Sequence, residues 1–290
     1  MKKWGFLFVL LLCLGIAGVN LLPFFQDTIE INSQNDKDIL GDKGMNGEFQ
    51  KIEIKKEQIF QGNLLLVNNK YPVHQGSIKQ DIVDLYTHKE LTKGYGLLDS
   101  KTKLSEEVAH KFSNMIVAAE KEGICHFLLT SGFRDFDEQN ALYNKMGSDY
   151  ALPAGYSEHN LGLSLDVGST QMKMDEASEG KWIEENAWKY GFILRYPKDK
   201  TDVTGIKYEP WHIRYVGLPH SAIMKEKNLV LEEYLAYLKE EKNISVSVNG
   251  KKYKVSYYPI SQNTTIKVPN NHHYEISGNN MDGVIVTVFP

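Results

Sequence analysis

Two short clusters hold the residues best suited to chemistry. The first extends from Tyr156 to Asp166 and contains His159, and the second is Glu209-Pro210-Trp211-His212. Gly162 lies between His159 and Asp166, where its freedom to bend the backbone would let the two side chains converge. Together the clusters supply two imidazoles and one carboxylate of the types that bind Zn²⁺, with a second carboxylate to spare.

The spare carboxylate, Glu209, favours a catalytic over a structural metal site. A catalytic zinc has three protein ligands and an open position for water, and a base must take a proton from that water as it attacks. Pro210 disfavours helix at Glu209, so a turn holds this carboxylate where it can reach the water without binding the metal. The helical His-Glu-x-x-His pattern is a different arrangement, and it occurs nowhere in the chain.

A turn between a predicted strand and a predicted helix contains Ser131-Gly132-Phe133-Arg134. The planar guanidinium of Arg134 suits bidentate contacts with a carboxylate or an oxyanion, which makes it a candidate substrate-binding residue. The alternative is a plain turn whose polar residues only cap the helix. Gln139, five residues further on, fits either a pocket wall or a helix surface.

Other interpretations of the polar residues are weaker. A lone histidine is usually structural or solvated, which is our interpretation of the histidines outside the two clusters, namely His74, His88, His110, His126, His220, His272 and His273. A serine peptidase of the penicillin-binding type needs Ser-x-x-Lys, Ser-x-Asn and Lys-Thr-Gly together, and the sequence lacks Lys-Thr-Gly. The second hypothesis is a cell-wall binding or sensory protein with a structural zinc. It is the weaker one, because a structural zinc usually has four ligands, often cysteines, and this sequence offers three with a spare acid.

The elements that must position these residues alternate between helices and short strands. Ser105 as an N-cap predicts a helix that Gly123 ends, and Asp135-x-x-Glu138 predicts the start of a helix that runs through Met146. A further helix is predicted at Glu179–Tyr190, and strands at Ile124–Thr130, Leu161–Val167, Phe192–Tyr196 and Ile213–Val216. This mixed order with short links predicts an α+β fold, with helices packed on a mainly antiparallel sheet that carries the zinc site.

The amino terminus differs from the rest of the chain. Lys2 and Lys3 precede an apolar run of 22 residues, Trp4–Phe25, which as a helix is about 33 Å long and can cross a bilayer. The two lysines favour a cytoplasmic amino end, so we expect a membrane anchor at residues 1–25 and the remainder outside. A cleaved signal peptide is the alternative, because Gly15-Ile16-Ala17 has the small-x-small pattern of a cleavage site.

Composition divides the remaining chain into three parts. Residues 26–58 are polar without sustained periodicity, which predicts a tether, and residues 59–242 contain both clusters and form the predicted catalytic domain. Residues 243–290 are predicted to form a small β unit, because Asn249-Gly250 between two alternating segments is a strong hairpin signal.

Bulk composition excludes several classes of protein. The 33 Lys and Arg residues against 37 Asp and Glu residues give a net charge of −4, so we expect no nucleic-acid partner. Mean hydropathy is −0.38, which is too low for a polytopic membrane protein. The cysteines are Cys13, in the apolar run, and Cys125, so an exported domain would rely on its core or a metal rather than on a disulfide.

The motifs resemble a known family. The segments Ser131-Gly132-Phe133-Arg134, Gly155-Tyr156-Ser157-Glu158-His159, the Gly-x-x-x-Asp that ends at Asp166, and Glu209-Pro210-Trp211-His212 resemble the zinc D-alanyl-D-alanine carboxypeptidases of the VanY type. The likeness continues through Trp182–Ile193 and covers nearly the whole chain, including the apolar start and the β tail.

That resemblance implies a membrane-anchored zinc D,D-carboxypeptidase, single-pass, with its catalytic domain outside the bacterial cell membrane. Its substrates would be peptidoglycan precursors ending in D-Ala-D-Ala, and removal of the last D-Ala would remove the target of vancomycin. The implied roles are zinc ligand for His159, Asp166 and His212, general base for Glu209, oxyanion or substrate contact for Arg134, and pocket lining for Gln139 and Ser157. A related L,D-carboxypeptidase or D,D-dipeptidase is the alternative within the enzyme class.

Overall fold

A computed structural model describes residues 27–33, 49–147 and 151–290 as a mixed α+β fold. The strands of this described part are β1 (Ile29–Ser33), β2 (Phe49–Ile54), β3 (Ile82–Asp84), β4 (Gly96–Leu97), β5 (Lys103–Ser105), β6 (Phe127–Ser131), β7 (Ser164–Ser169), β8 (Phe192–Leu194), β9 (His212–Tyr215), β10 (Asn243–Val248), β11 (Lys251–Pro259), β12 (Thr264–Pro269), β13 (Tyr274–Gly278) and β14 (Gly283–Val288). The α-helices are α1 (Glu106–Lys121), α2 (Phe136–Met146), α3 (Ser178–Asn186), α4 (Thr201–Thr204), α5 (His220–Lys227) and α6 (Leu231–Glu241). Short 3₁₀ helices lie at Lys56–Phe60, Gln75–Ser77, Lys89–Leu91, Glu158–Leu161 and Ala187–Tyr190.

The sheet that carries the candidate site has the strand order β4-β6-β7-β9-β8. Only the β4–β6 pair of this sheet is parallel, so the predicted mainly antiparallel arrangement is confirmed. Helix α1 packs its apolar face, which includes Phe112 and Met115, into the core that also contains Leu129 and Leu165 of the sheet. Its N-cap is Ser105, as predicted, because the Ser105 hydroxyl accepts a hydrogen bond from the helix backbone.

A second sheet, built mainly from the carboxyl-terminal residues, has the order β1-β10-β11-β14-β13 and is antiparallel throughout. The predicted hairpin joins β10 to β11, and its two turn residues, Asn249 and Gly250, have φ values of 50° and 78°. These left-handed conformations are the ones that a tight two-residue hairpin requires.

Helix α6 packs against the second sheet. Its buried residues Leu231, Tyr234, Leu235 and Leu238 share one core with Ile244, Val246, Val255 and Ile285 of the sheet. The buried His220 ring on α5 reinforces this interface, because its Nδ1 lies 2.7 Å from the Tyr234 hydroxyl and its Nε2 lies 2.9 Å from the Thr287 hydroxyl. The carboxyl-terminal β unit is therefore docked on the helices that follow the candidate site.

The segment predicted as a tether, residues 26–58, differs from that expectation in its described parts. Strand β1 pairs with β10, and strand β2 pairs with β12. Both strands are mostly exposed, but Ile29 and Ile31 of β1 contact the core shared with α6, and Ile52 and Ile54 of β2 contact a smaller core that includes β12. So few apolar residues make a weak sequence signal, and the partner strands that stabilise these two segments lie about two hundred residues away in the sequence.

The predicted membrane anchor, residues 1–25, lies outside the described residues. Within residues 27–33, 49–147 and 151–290, none of the helices combines the length and the apolar character needed to span a membrane.

The shared core makes a testable prediction for the Leu235→Ala variant. Leu235 is buried between α6 and the second sheet, so truncation should lower the free energy of unfolding by about 2–5 kcal/mol. Urea unfolding followed by tryptophan fluorescence and by far-UV circular dichroism would measure this loss. The exposed Glu240→Ala change on the same helix is the control, with an expected effect within about 0.5 kcal/mol. A loss for Leu235→Ala as small as that of the control would contradict the shared core.

Candidate active site

His159 is held by a short 3₁₀ helix, Glu158–Leu161, that Ser157 begins and Gly162 ends. Gly162 has φ +82°, a left-handed conformation that favours glycine. The His159 ring lies under the neighbouring loop, where Nδ1 donates a hydrogen bond to the Gly132 carbonyl oxygen at 2.6 Å. Because a carbonyl only accepts, Nδ1 carries the proton, and Nε2 is left to face Asp166.

Asp166 and His212 face each other across two antiparallel strands. The register of β7 and β9 pairs the two residues directly. Asp166 Oδ1 lies 3.0 Å from His212 Nδ1, and its other oxygen, Oδ2, lies 3.3 Å from His159 Nε2. Pairing of the two strands thus brings together residues that are far apart in the sequence.

The three side chains that the sequence singled out can bind one metal ion. One ligand atom from each of His159, Asp166 and His212 lies within 4.8 Å of the other two. His159 presents Nε2 because its Nδ1 is engaged, and the donor set of two imidazole nitrogens and a carboxylate oxygen is one that zinc accepts. The residues therefore fit a three-ligand metal site of the catalytic kind.

The protonation states of His159 and Asp166 agree with metal binding, whereas that of His212 opposes it at neutral pH. Burial, together with the nearby charge of Arg134, lowers the pKa of His159 and favours its neutral form. Burial alone would raise the pKa of Asp166, but the contacts with His159 and His212 outweigh it and lower that pKa, so the carboxylate stays ionised. Burial opposes the charged form of His212, but its bonds to Asp166 and Glu158 outweigh burial and raise its pKa to about 9.

Glu209 lies beside this set of candidate ligands without belonging to it. Its Oε2 is 4.0 Å from His212 Nδ1, and its side chain is 28% exposed. Burial raises the pKa of Glu209, and the nearby Asp166 carboxylate raises it further, although His212 acts in the opposite direction. A carboxylate with a raised pKa is a better proton acceptor, which is the property that a general base needs.

Arg134 borders the same space, and its side chain is held from two directions. Its Nε donates to Gln139 Oε1 at 2.8 Å, and its Nη1 donates to the Ser131 hydroxyl at 2.7 Å. Nη1 also lies 3.8 Å from Asp166 Oδ2. Gln139 is buried and is itself held by its bond to the Leu152 carbonyl oxygen, so it positions Arg134 and is not a helix-surface residue.

Ser157, the remaining residue predicted to line the pocket, is buried at the start of the 3₁₀ helix. Its hydroxyl accepts a hydrogen bond from the His159 backbone nitrogen at 3.4 Å. This contact helps to orient the turn that carries His159. Contact with substrate stays a prediction for Ser157, as it does for Gln139.

The sequence analysis missed a cluster of buried charges behind the site. Glu158 is 2% exposed, and its carboxylate forms ion pairs with two fully buried arginines, Arg195 and Arg214. The available signal was the presence of a charged residue inside each of two predicted apolar strands, Phe192–Tyr196 and Ile213–Val216. Such residues are rarely buried unless they are paired, so each arginine implied an acidic partner in the interior.

A family model described as the D-alanyl-D-alanine carboxypeptidase VanY matches residues 101–218. The chain is 64% identical over 294 aligned positions to a D-alanyl-D-alanine carboxypeptidase of Enterococcus faecium, with 100% of this chain and 97% of the relative covered.

Two solved structures are similar to the described fold. The vancomycin-resistance D,D-dipeptidase VanXYg, in complex with a D-Ala-D-Ala phosphinate analogue, matches with a TM-score of 0.74 and 32% identity, over 84% of this chain and 100% of that one. A mutant of the D,D-pentapeptidase VanY from a VanB-type resistance cassette, in complex with Zn(II), matches with a TM-score of 0.50 and 26% identity, over 60% of this chain and 98% of that one.

The raised pKa of His212 predicts how metal affinity depends on pH. With a pKa of about 9, His212 is protonated at neutral pH, so a metal ion that binds to it must displace a proton. Affinity for zinc should therefore rise by about tenfold per pH unit between about pH 7 and 8.5. Zinc titration of the metal-free protein in metal-buffered solutions would measure the slope. The exposed His273→Gln variant should keep that slope, and an affinity that is constant over this range would refute the prediction.

Proposed function

The chain belongs to the VanY family of D-alanyl-D-alanine carboxypeptidases, and on that premise we propose that it is a zinc-dependent D,D-carboxypeptidase of peptidoglycan precursors. The observation that carries the proposal is the convergence of His159, Asp166 and His212 with Glu209 beside them. A spare carboxylate at this position is what a catalytic site needs and what a purely structural zinc site does not.

Zinc is the proposed cofactor. His159 Nε2, a carboxylate oxygen of Asp166 and His212 Nδ1 would hold it, because these are the ligand atoms that face one another. The zinc complex of the VanY relative from a VanB-type cassette supports the choice of metal. When bound, zinc would supply Lewis acidity at the scissile carbonyl and make a water molecule more acidic.

Glu209 is the proposed general base. Hydrolysis of the terminal amide adds a hydroxyl group to the carbonyl carbon and a proton to the leaving amine nitrogen. Glu209 would take the proton from the attacking water and pass it to the amine of the departing D-Ala. Its raised pKa suits both transfers, because the carboxyl group must accept the proton first and then release it.

Arg134 is the proposed contact for the negative charge of the substrate. Its guanidinium is oriented by Gln139 and Ser131 and lies next to Asp166. A guanidinium held in this way can bind the terminal carboxylate of the peptide or the oxyanion that forms during attack. Since vancomycin binds the D-Ala-D-Ala terminus, removal of the last D-Ala would contribute to glycopeptide resistance.

The substrate assignment is tested with a UDP-linked pentapeptide precursor that ends in D-Ala-D-Ala. Mass spectrometry should show loss of one D-Ala after incubation with the protein, no loss in the presence of a metal chelator, and recovery when zinc is restored. Penicillin should not inhibit, because no serine nucleophile takes part.

Zinc binding without any D-Ala release would favour a wall-binding or sensory protein instead. Preferential cleavage of free D-Ala-D-Ala would identify a D,D-dipeptidase, and cleavage only of a tetrapeptide ending in an L,D bond would identify an L,D-carboxypeptidase.

The proposed base is tested by Glu209→Gln, which keeps the size of the side chain and removes its basicity. We expect kcat for D-Ala release to fall by about 10²-fold or more, the contribution typical of a general base. Zinc content should stay at one ion per chain, because Glu209 is not a ligand. Glu226→Gln, an exposed change on α5, is the matched control. Wild-type turnover of Glu209→Gln would remove Glu209 from the mechanism.

We also propose that residues 1–25 anchor the enzyme in the bacterial cell membrane, with the catalytic domain outside. The support is the apolar run that follows Lys2 and Lys3. In cells, the full chain should remain in the membrane fraction after a salt wash and should be cleaved by protease added to intact protoplasts. A mature chain that begins directly after Ala17 would show a cleaved signal peptide instead.

A further inference from the structure

Glu158 lies directly behind His212, on the side away from Asp166 and Glu209. Its Oε2 is 3.5 Å from His212 Nε2, while His212 Nδ1 faces Asp166. Nε2 is completely buried, and within the described part of the chain its contact with Glu158 is an ion-pair distance rather than a formed hydrogen bond. A buried ring N–H needs an acceptor, and Glu158 is the group in position to provide one.

The Glu158 carboxylate is itself held in place. Its Oε1 lies 2.8 Å from Arg195 Nε and 2.9 Å from Arg214 Nη1. Its Oε2 accepts a hydrogen bond from the Ser164 hydroxyl at 3.2 Å. Both arginines therefore bind the same oxygen, which leaves Oε2 directed at His212.

Arg195 extends the arrangement to helix α6. Its Nη1 and Nη2 donate to the two carboxylate oxygens of Glu232 at 2.9 and 2.7 Å. Helix α6 packs against the second sheet through its apolar face. A series of contacts thus runs from the half-buried Glu232 on α6 through the buried Arg195 and Glu158 to His212, and α6 itself packs on the C-terminal β unit.

Such a cluster is costly as a means of stabilisation. Two guanidinium groups and two carboxylates balance in charge, but removing ions from water costs several kcal/mol each, and an apolar cluster of the same volume is often at least as stable. A carboxylate that accepts the outer N–H of a ligand imidazole has a separate use, because it selects the tautomer, fixes the ring and increases the basicity of the other nitrogen.

We propose that Glu158 is a positioning residue for the metal site. Glu158 orients the His212 ring so that its Nδ1 faces the metal, and Glu232 on α6 in turn holds Glu158 in place through Arg195. The inference rests on the proposed zinc site but not on the identity of the substrate. It assigns a function to the carboxyl-terminal β unit, which supports α6 and thereby the orientation of a metal ligand.

A direct test uses the wild-type protein loaded with zinc. Nitrogen-15 NMR that correlates ring carbon-bound protons with ring nitrogens distinguishes a protonated from a metal-bound nitrogen in each histidine. We expect His212 to carry its proton on Nε2 and to bind zinc through Nδ1. Zinc on Nε2 of His212 would overturn the proposal, because that nitrogen could not then donate to Glu158.

Variants measure the size of the effect. Glu158→Gln should weaken zinc affinity by about 10- to 100-fold, the loss typical of a removed partner behind a metal ligand. Glu232→Gln should weaken it in the same direction but less, since Glu158 keeps both arginines. Glu233→Gln is the matched control, because Glu233 is the next residue on α6 and pairs with Lys200 instead; its zinc affinity should equal that of the wild type.

Circular dichroism of each variant separates a folding defect from a specific one. If Glu158→Gln does not fold, the comparison of Glu232→Gln with Glu233→Gln decides, and equal zinc affinities for these two would overturn the proposal. A folded Glu158→Gln variant with wild-type zinc affinity would overturn it as well. Because zinc affinity is measured without substrate, absence of D-Ala release would count against the proposed function alone.

Discussion

The antiparallel pairing of β7 with β9 is the interaction on which the candidate site depends. Its register places Asp166 opposite His212, and a slip by one residue would turn one of the two side chains to the other face of the sheet. His159 lies near them because the chain bends at Gly162, between the end of the 3₁₀ helix that carries His159 and the start of β7. The backbone thus sets the positions of the candidate ligands before any metal binds.

The charges behind the site connect it to the rest of the molecule. Glu158, Arg195 and Arg214 are buried beneath the sheet, and Arg195 reaches Glu232 on α6. The same helix shares its apolar core with the carboxyl-terminal sheet. Parts of the chain that look like an accessory unit and a catalytic domain in the sequence therefore share one apolar core, to which Trp188 and Ile193 also belong.

Prediction from the sequence succeeded where the determinants are local. The caps at Ser105 and Asp135 and the Asn249-Gly250 turn act over a few residues, and each is found where it was expected. The strands at Ile29–Ser33 and Phe49–Ile54 were missed, because their partners come from the other end of the chain. Glu158 was passed over for a similar reason, since its arginine partners are more than thirty residues away in the sequence.

The amino-acid sequence by itself determined the types of group available for chemistry. Two histidines, an aspartate, a spare glutamate and an arginine, in motifs resembling one family, were enough to define the reaction class. Only the tertiary structure decided which nitrogen of each ring faces the metal position and which side chains hold the rings there. The physical reason is that hydrogen-bond geometry and burial depend on contacts between distant segments, and a linear pattern does not show which of those contacts a side chain makes.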